Sequence, residues 1–320
     1  MQPSVLKNVR PDWPSRILGS PPVAGFARTL GSRRLAVLAY HDVPHGPTFA
    51  AHLDYITEHY RPVTGADVSA ALDGRSLPRN AVWITFDDAK PGVFAEAMPL
   101  LVERGIPASV FVCPGVVDTS EPYWWELLDA ALAYGHQIAF AGRQWTDSSV
   151  IAALKEVADE VRRACVDRVG EELAVIGRSS VASQATSADL QTWVAAGLEV
   201  GNHTWDHPCL DRCDPDEQRQ QIVAAHEWIT DLLGAPTTLF AYPNGNSAPT
   251  SRAVLAELGY RIRTLFDHRR ARLHEPEMSR LRIDAHVPLP RLAAIVSGTH
   301  PAAYAAAGLL RGRRRISVAQ

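Results

Sequence analysis

Cysteine is scarce in this sequence of 320 residues. The four cysteines are Cys113, Cys165, Cys209 and Cys213, and their spacing is irregular. Folds that depend on disulfides place many more cysteines in a much shorter chain. We therefore predict reduced thiols, and only Cys209 and Cys213 remain candidates for another role.

The sequence also lacks a large net charge and long apolar runs. Its 32 Lys and Arg residues stand against 35 Asp and Glu residues, a formal net charge of −3, which argues against a nucleic-acid partner. The N-terminal residues contain no apolar stretch after their basic residues, so we predict no signal peptide and a cytoplasmic location. The late apolar segment 292–310 contains His300 and Pro301, which favours a helical hairpin over a membrane span.

Short β-branched runs alternate with segments of helical length along most of the chain. The runs at 35–41, 81–87, 108–113, 198–203, 238–242, 261–266 and 281–286 predict strands, and the segments at 49–58, 93–104, 215–233 and 248–258 predict helices. This alternation is typical of parallel strands joined by crossover helices, and seven strands are close to the number in a barrel. We predict an α/β barrel at 35–298, with a helical insertion at about 115–190 that caps one of its faces. An N-terminal extension at 1–34 and a C-terminal helix with a basic tail at 299–320 flank it.

Polar residues fall where the predicted strands end. The groups are His41-Asp42, Asp87-Asp88, His203 and Tyr242-Pro243-Asn244. In a parallel barrel these strand ends converge on one face, where active sites of this architecture are built. We therefore expect the four groups to share one site.

The adjacent carboxylates of Asp87 and Asp88 repel each other unless a cation or hydrogen bonds intervene. A metal that takes one carboxylate while the other remains a base resolves that conflict. The alternative is a simple helix cap before the helix that begins near Val93.

His203 and His207 are four residues apart and suit a single ion. With Asp88 they make the two-nitrogen, one-oxygen ligand set of a catalytic zinc with an open position. A rival structural site would recruit Cys209 and Cys213. Because one short segment would then supply all four ligands, we favour the cysteines as small buried side chains.

Four motifs together resemble a known family. TFDD at 85–88, HTWDH at 203–207 and FAYPNG at 240–245 are similar to the core motifs of the metal-dependent polysaccharide deacetylases, and AYHDVP at 39–44 resembles the first-strand motif of their circularly permuted branch. The resemblance spans about 36–298, with the insertion interrupting it. It implies a distorted (β/α)7 TIM-like barrel and a divalent metal, zinc above all.

The resemblance also implies residue roles. Asp88, His203 and His207 would bind the metal, Asp87 would be the general base and His41 the general acid. Tyr242, Asn244 and Arg282 would serve the oxyanion and the substrate. Because Ala241 stands where many members carry an arginine that orients the base, Arg282 is also predicted to replace that arginine. Ala89 replaces a usual glycine, which predicts a changed loop under the metal.

The sequence therefore predicts a zinc-dependent hydrolase that removes an N-acetyl or other acyl group from an amino sugar or a carbohydrate-containing intracellular substrate. Three alternatives remain open: hydrolysis of another non-peptide C–N bond, a degenerate family member that binds metal without catalysis, and a scaffold with a structural metal. No membrane span or nucleic-acid partner is predicted.

Overall fold

The computed structural model describes residues 13–178, 181–273, 275–303 and 305. The strands are β1 (Ala36–Tyr40), β2 (Arg61–Pro62), β3 (Ala81–Phe86), β4 (Ala108–Val112), β5 (Ile138–Phe140), β6 (Arg143–Trp145), β7 (Glu199–Asn202), β8 (Leu239–Ala241), β9 (Ile262–Thr264), β10 (Glu277–Met278) and β11 (Leu281–Arg282). The α-helices are α1 (Trp13–Leu18), α2 (Pro21–Leu30), α3 (Gly46–His59), α4 (Gly65–Leu72), α5 (Met98–Glu103), α6 (Trp124–Ala133), α7 (Ser149–Leu154), α8 (Asp159–Val175), α9 (Ser187–Ala195), α10 (Pro215–Leu233), α11 (Pro249–Glu257) and α12 (Leu289–Ser297).

One parallel sheet organises the molecule, in the order β10-β9-β8-β7-β4-β3-β1-β11, with β2 added beside β3. Its two end strands, β10 and β11, are separated in the chain by only residues 279 and 280. The three Cα–Cα steps from Met278 to Leu281 span at most about 11 Å, so the two ends of the sheet lie close together and the sheet curls into a barrel. Counting β10 and β11 as one split position gives seven strands, and the predicted distorted (β/α)7 barrel is confirmed.

The strands separate two apolar layers. Val37, Trp83 and Phe111 belong to a cluster with Met278, whereas Leu38, on the other side of β1, packs in the layer under the helices. Every residue of β1, β3 and β4 is buried. Parallel strands covered on both faces are apolar throughout, which explains why continuous hydrophobic runs marked them in the sequence.

The helices follow the predicted positions closely. The segment predicted as a helix at 93–104 forms a π-helical turn at Val93–Ala97 followed by α5. Helix α10 begins after Asp214, whose side chain accepts the main-chain N–H of Glu217, and ends at Gly234 in a left-handed conformation. These two residues supply the cap and stop that a helix needs at its termini.

The insertion has its own apolar core, formed by α6, α7, α8 and the antiparallel hairpin β5–β6. The sequence analysis did not predict this hairpin. Helix α9 belongs to the barrel, because Leu190 and Trp193 pack in the layer under the barrel helices.

The two ends of the chain differ in what the structure describes. Helices α1 and α2 contact α12. Residues 299–303 are helical, and the predicted basic tail at 311–320 lies outside the described residues. In the described part of the chain, no helix is both long and apolar enough to cross a membrane.

Candidate active site

The C-terminal ends of the strands open into a cavity of about 900 Å3. The insertion forms part of its wall through Trp125 and Lys155, and the segment after β11 forms another part. All the predicted site residues except Tyr242 line this cavity, namely His41, Asp87, Asp88, His203, His207, Asn244 and Arg282. The structure therefore brings together residues that are far apart in the sequence.

Asp88, His203 and His207 form a compact group of potential metal ligands. One ligand atom from each lies within 4.8 Å of the others, and all three residues are buried. Oδ1 of Asp88 lies 3.6 Å from Nε2 of His203 and 3.6 Å from Nε2 of His207. A tetrahedral zinc bound at about 2.0–2.1 Å holds its ligand atoms about 3.4 Å apart, close to these distances.

Two buried polar atoms of this group, Oδ1 of Asp88 and Nδ1 of His207, have no hydrogen-bond partner, which supports an ion bound by the group. Oδ1 of Asp88 is buried and accepts no hydrogen bond. Nδ1 of His203 lies 2.7 Å from the carbonyl oxygen of Ala241, so Nδ1–H donates there and the Nε2 lone pair faces the carboxylate. Burial lowers the pKa of His207 well below its usual value, so this imidazole is neutral at neutral pH. Two imidazoles and a carboxylate are the donor set that a divalent cation such as zinc requires, and the residues fit it.

The backbone around the ligands is unusual. Asp88, Ala89 and His207 have φ angles of 65°, 45° and 62°. This left-handed conformation costs an ordinary residue about 1–2 kcal/mol. The loop after the Asp pair therefore adopts, with Ala89, a conformation that a glycine would adopt without strain.

Aromatic residues from the insertion hold the main chain of the ligands. The Tyr123 hydroxyl donates to the carbonyl oxygen of Asp88 at 3.0 Å, and Nε1 of Trp124 donates to that of His207 at 3.3 Å. The Trp125 ring meets the His207 ring edge to face, with centroids 4.6 Å apart. The insertion is therefore part of the site and not only a cover over it.

Asp87 is held by Arg280. The two guanidinium nitrogens of Arg280 donate to the two carboxylate oxygens at 2.6 and 2.8 Å, and the guanidinium also contacts the Thr85 hydroxyl and the Leu265 carbonyl. Burial alone would raise the pKa of Asp87, but the charges of Arg280 and the nearby histidines outweigh it and lower the pKa to about 2. Asp87 is therefore ionised at neutral pH, with its geometry fixed by a bidentate pair.

The predicted role of Arg282 as the partner of the base is wrong. Arg280 makes that contact, and the guanidinium of Arg282 lies over the Phe266 ring, 4.4 Å from its centroid. Arg280 and Arg282 are two residues apart, so alternation along the strand directs both side chains to the same face. The main chain at Arg280 lies two residues, about 6.6 Å, further than Arg282 from the carboxyl end of the strand. The long side chain of Arg280 extends from there to Asp87.

His41 and Asn244 also line the cavity. The His41 ring meets Phe266 edge to face, with centroids 5.1 Å apart. Asn244 has a left-handed φ of 57° and its amide donates to the Cys209 sulfur at 3.4 Å. Tyr242, also predicted to serve the oxyanion or the substrate, does not line the cavity with its side chain: its hydroxyl donates to Glu277 at 3.1 Å, and its ring packs in an apolar cluster outside the barrel.

The two candidate cysteine ligands are not part of the metal group. Among the described residues, the group that satisfies metal-ligand distances contains only Asp88 and the two histidines. The Cys213 thiol donates to the carbonyl oxygen of Cys209 at 3.5 Å, and both side chains are buried. This packing favours the open, catalytic ligand set over the closed structural one.

Comparisons with known proteins agree with this geometry. The family model described as polysaccharide deacetylase matches residues 74–166 and 168–262. A Bacillus subtilis (strain 168) protein named as a polysaccharide deacetylase, YxkH, is 18% identical over 248 residues, which are 75% of this chain and 67% of the relative.

Solved structures show the same fold. The Streptococcus pyogenes deacetylase PplD, in complex with acetate, has a TM-score of 0.58 at 17% identity, covering 82% of this chain and 98% of that one. IcaB from Ammonifex degensii has a TM-score of 0.56 at 22% identity, covering 83% and 97%. From the extent of the family match together with the fold, the chain belongs to the polysaccharide deacetylase family.

Proposed function

We propose that the protein is a zinc-dependent hydrolase that removes an N-acetyl group from an amino sugar or from a carbohydrate-containing substrate. The observation that carries this proposal is the pairing of an Asp-His-His group with an adjacent carboxylate held by Arg280 in one cavity. Amide hydrolysis needs an activated water, a stabilised oxyanion and a proton for the leaving amine, and the cavity offers a residue for each need.

Asp88, His203 and His207 would hold the divalent cation. When bound, such an ion lowers the pKa of water and polarises an acyl carbonyl. Asp87 accepts the proton of the attacking water through a carboxylate oxygen, and Arg280 keeps this carboxylate aimed into the cavity. A carboxylate with a pKa of about 2 is a weak base, so it is suited to water that has already been made more acidic.

His41 faces the same cavity from the end of β1 and protonates the nitrogen of the departing amine. The main-chain N–H of Asn244 is assigned to the oxyanion. Phe266 limits the movement of the His41 ring by its edge-to-face contact.

A sugar ring fits the aromatic wall. Trp125 lines the cavity and stacks on Tyr123 with ring centroids 4.5 Å apart, so its position is fixed before a ligand arrives. The neighbouring Trp124 is buried and packs within the insertion core. The names of the relatives, which refer to deacetylases, support an acetyl group as the group that is removed. We also propose a cytoplasmic, carbohydrate-bearing substrate.

The test is acetate release from a panel of N-acetylated sugars by purified protein. We expect activity that is lost on chelation, restored by zinc and reduced at least about a thousandfold in Asp87→Asn, because the amide cannot accept the proton. Asp73→Asn, an equivalent change in an exposed residue that pairs with Arg261, is the control and should keep full activity. A fully active Asp87→Asn variant would refute the mechanism, and turnover of cyclic amides but not acyl sugars would refute the substrate class.

A further inference from the structure

Three basic side chains in the cavity wall have no acidic partner. Lys155 follows α7, Arg282 ends β11, and Arg291 lies in the first turn of α12. Within the described part of the chain, no salt bridge joins any of them to a carboxylate. Basic residues nearby in the insertion are paired: Arg163 contacts Asp206 at 2.8 Å, for example.

The three cations line one cavity, and their charges affect the pKa values of its titratable groups. Burial lowers the pKa of Lys155, the Arg282 guanidinium adds a smaller effect in the same direction, and Cys209 and the Asp88 carboxylate oppose them. Burial, the His300 imidazole and the guanidiniums of Arg282 and Arg291 lower the pKa of His268 to about 4. Lys155, Arg282, Arg291 and His268 all line the same cavity as Asp88.

The acidic residues of the cavity wall form no salt bridge with these cations in the part of the chain that the structure describes. Asp129 accepts from the Ser148 hydroxyl at 2.7 Å, and Asp267 accepts from the Ser279 hydroxyl at 2.8 Å. Asp284 also lines the cavity, and among the described residues it forms no salt bridge with the three cations. Helix α12 has no acidic residue in its first turn, so Arg291 adds its charge to the positive end of the helix dipole.

We propose that Lys155, Arg282 and Arg291 form a binding site for an anionic group, a phosphate or a carboxylate, on the sugar whose acyl group is removed. Cations that line one cavity without salt bridges are stabilised by an anion that gives each a charge-assisted hydrogen bond. The identity of the sugar rests on the proposed function, whereas the anion site rests on the three side chains alone. Because Lys155 and Asp88 line the same cavity, the anionic group and the scissile amide belong to one substrate molecule bound there.

Calorimetry on the full-length protein tests the site without requiring turnover. The probes are N-acetylglucosamine, its 1-phosphate and 6-phosphate esters, and N-acetylglucosaminuronic acid. We expect a phosphate ester or the uronic acid to bind at least about tenfold more tightly than the neutral sugar. The preferred probe distinguishes phosphate from carboxylate.

Lys155→Met and Arg282→Met should each lower this preference about tenfold or more, and the double variant should remove it. Arg219→Met is the matched control, because Arg219 is exposed on α10 and pairs with Glu257. The same variants should lower the ratio of kcat/KM for the anionic sugar to that for the neutral sugar.

Two outcomes overturn the site: equal affinity for charged and neutral sugars, or an anion preference that survives in Lys155→Met/Arg282→Met and disappears on chelation, which would place the anion on the metal. Tight binding of a sugar phosphate that depends on Lys155, with no acetate release from any sugar, would leave the anion site standing and refute the proposed function.

Discussion

Replacing Arg280 by methionine should destabilise the protein far more than the same change at a neighbouring arginine. Arg280 is fully buried and gives two hydrogen bonds to the buried carboxylate of Asp87. Removing one partner of a buried ion pair leaves the other charge uncompensated and costs about 3–5 kcal/mol. Arg282→Met, two residues along and exposed, should change the free energy of unfolding by no more than about 0.5 kcal/mol.

A second substitution separates the charge from the packing. In Arg280→Met/Asp87→Asn neither charge remains, so most of the loss should be recovered and the double variant should unfold within about 2 kcal/mol of the natural protein. Urea denaturation of metal-free protein at pH 7 measures all four free energies. The reasoning fails if Arg280→Met costs less than about 1 kcal/mol, or if the double variant is no more stable than the single one.

Acid should weaken the same pair in the natural protein. The pKa of Asp87 falls from its ordinary value of 3.8 to about 2 on folding, so the unfolded chain binds the proton more readily. The stabilisation is therefore complete above about pH 5 and is lost as the pH falls through 3.8 towards 2. A difference of nearly two pH units corresponds to about 2 kcal/mol. This acid dependence should be absent from the double variant.

Two further predictions concern metal and pH. Asp88→Ala should lose bound zinc, measured by elemental analysis after dialysis, while Cys209→Ser keeps it; the reverse result would favour a structural site. Burial lowers the pKa of His52 from 6.5, so folding keeps this imidazole neutral, and its contribution to stability is present above pH 6.5 and is lost as the pH falls below it. His52→Phe should therefore flatten the change in melting temperature between pH 6.5 and 5, and an unchanged slope would contradict this.

The strands and helices of the barrel were predictable because their signals are local. Parallel strands such as β1 are buried on both faces and read as apolar runs, and α10 has a cap at Asp214 and a stop at Gly234. The three-residue strands of the hairpin β5–β6 and the two-residue β10 carry too few residues for a periodic pattern. They depend on partners that the sequence alone does not identify.

The site was predictable to the extent that its residues end strands. His41, Asp87 and His203 follow β1, β3 and β7 directly, and the barrel then brings them together. Arg280 was missed because strand alternation gives it the same side as Arg282, and only the depth of each side chain in the barrel decides which one reaches Asp87. Alternation also explains Tyr242: Ala241 faces the barrel interior, so the next side chain points outward.

The interruption between β10 and β11, within residues 277–282, determines how the protein loses activity as it unfolds. The two strands pair with opposite ends of the sheet, and Arg280 lies in the joint between them. Any opening of this seam by heat, denaturant or mutation withdraws the guanidinium from Asp87 before the rest of the barrel unfolds. Activity should then be lost before global melting. Hydrogen exchange at residues 277–282 should increase in parallel with the loss of activity, before the helices unfold.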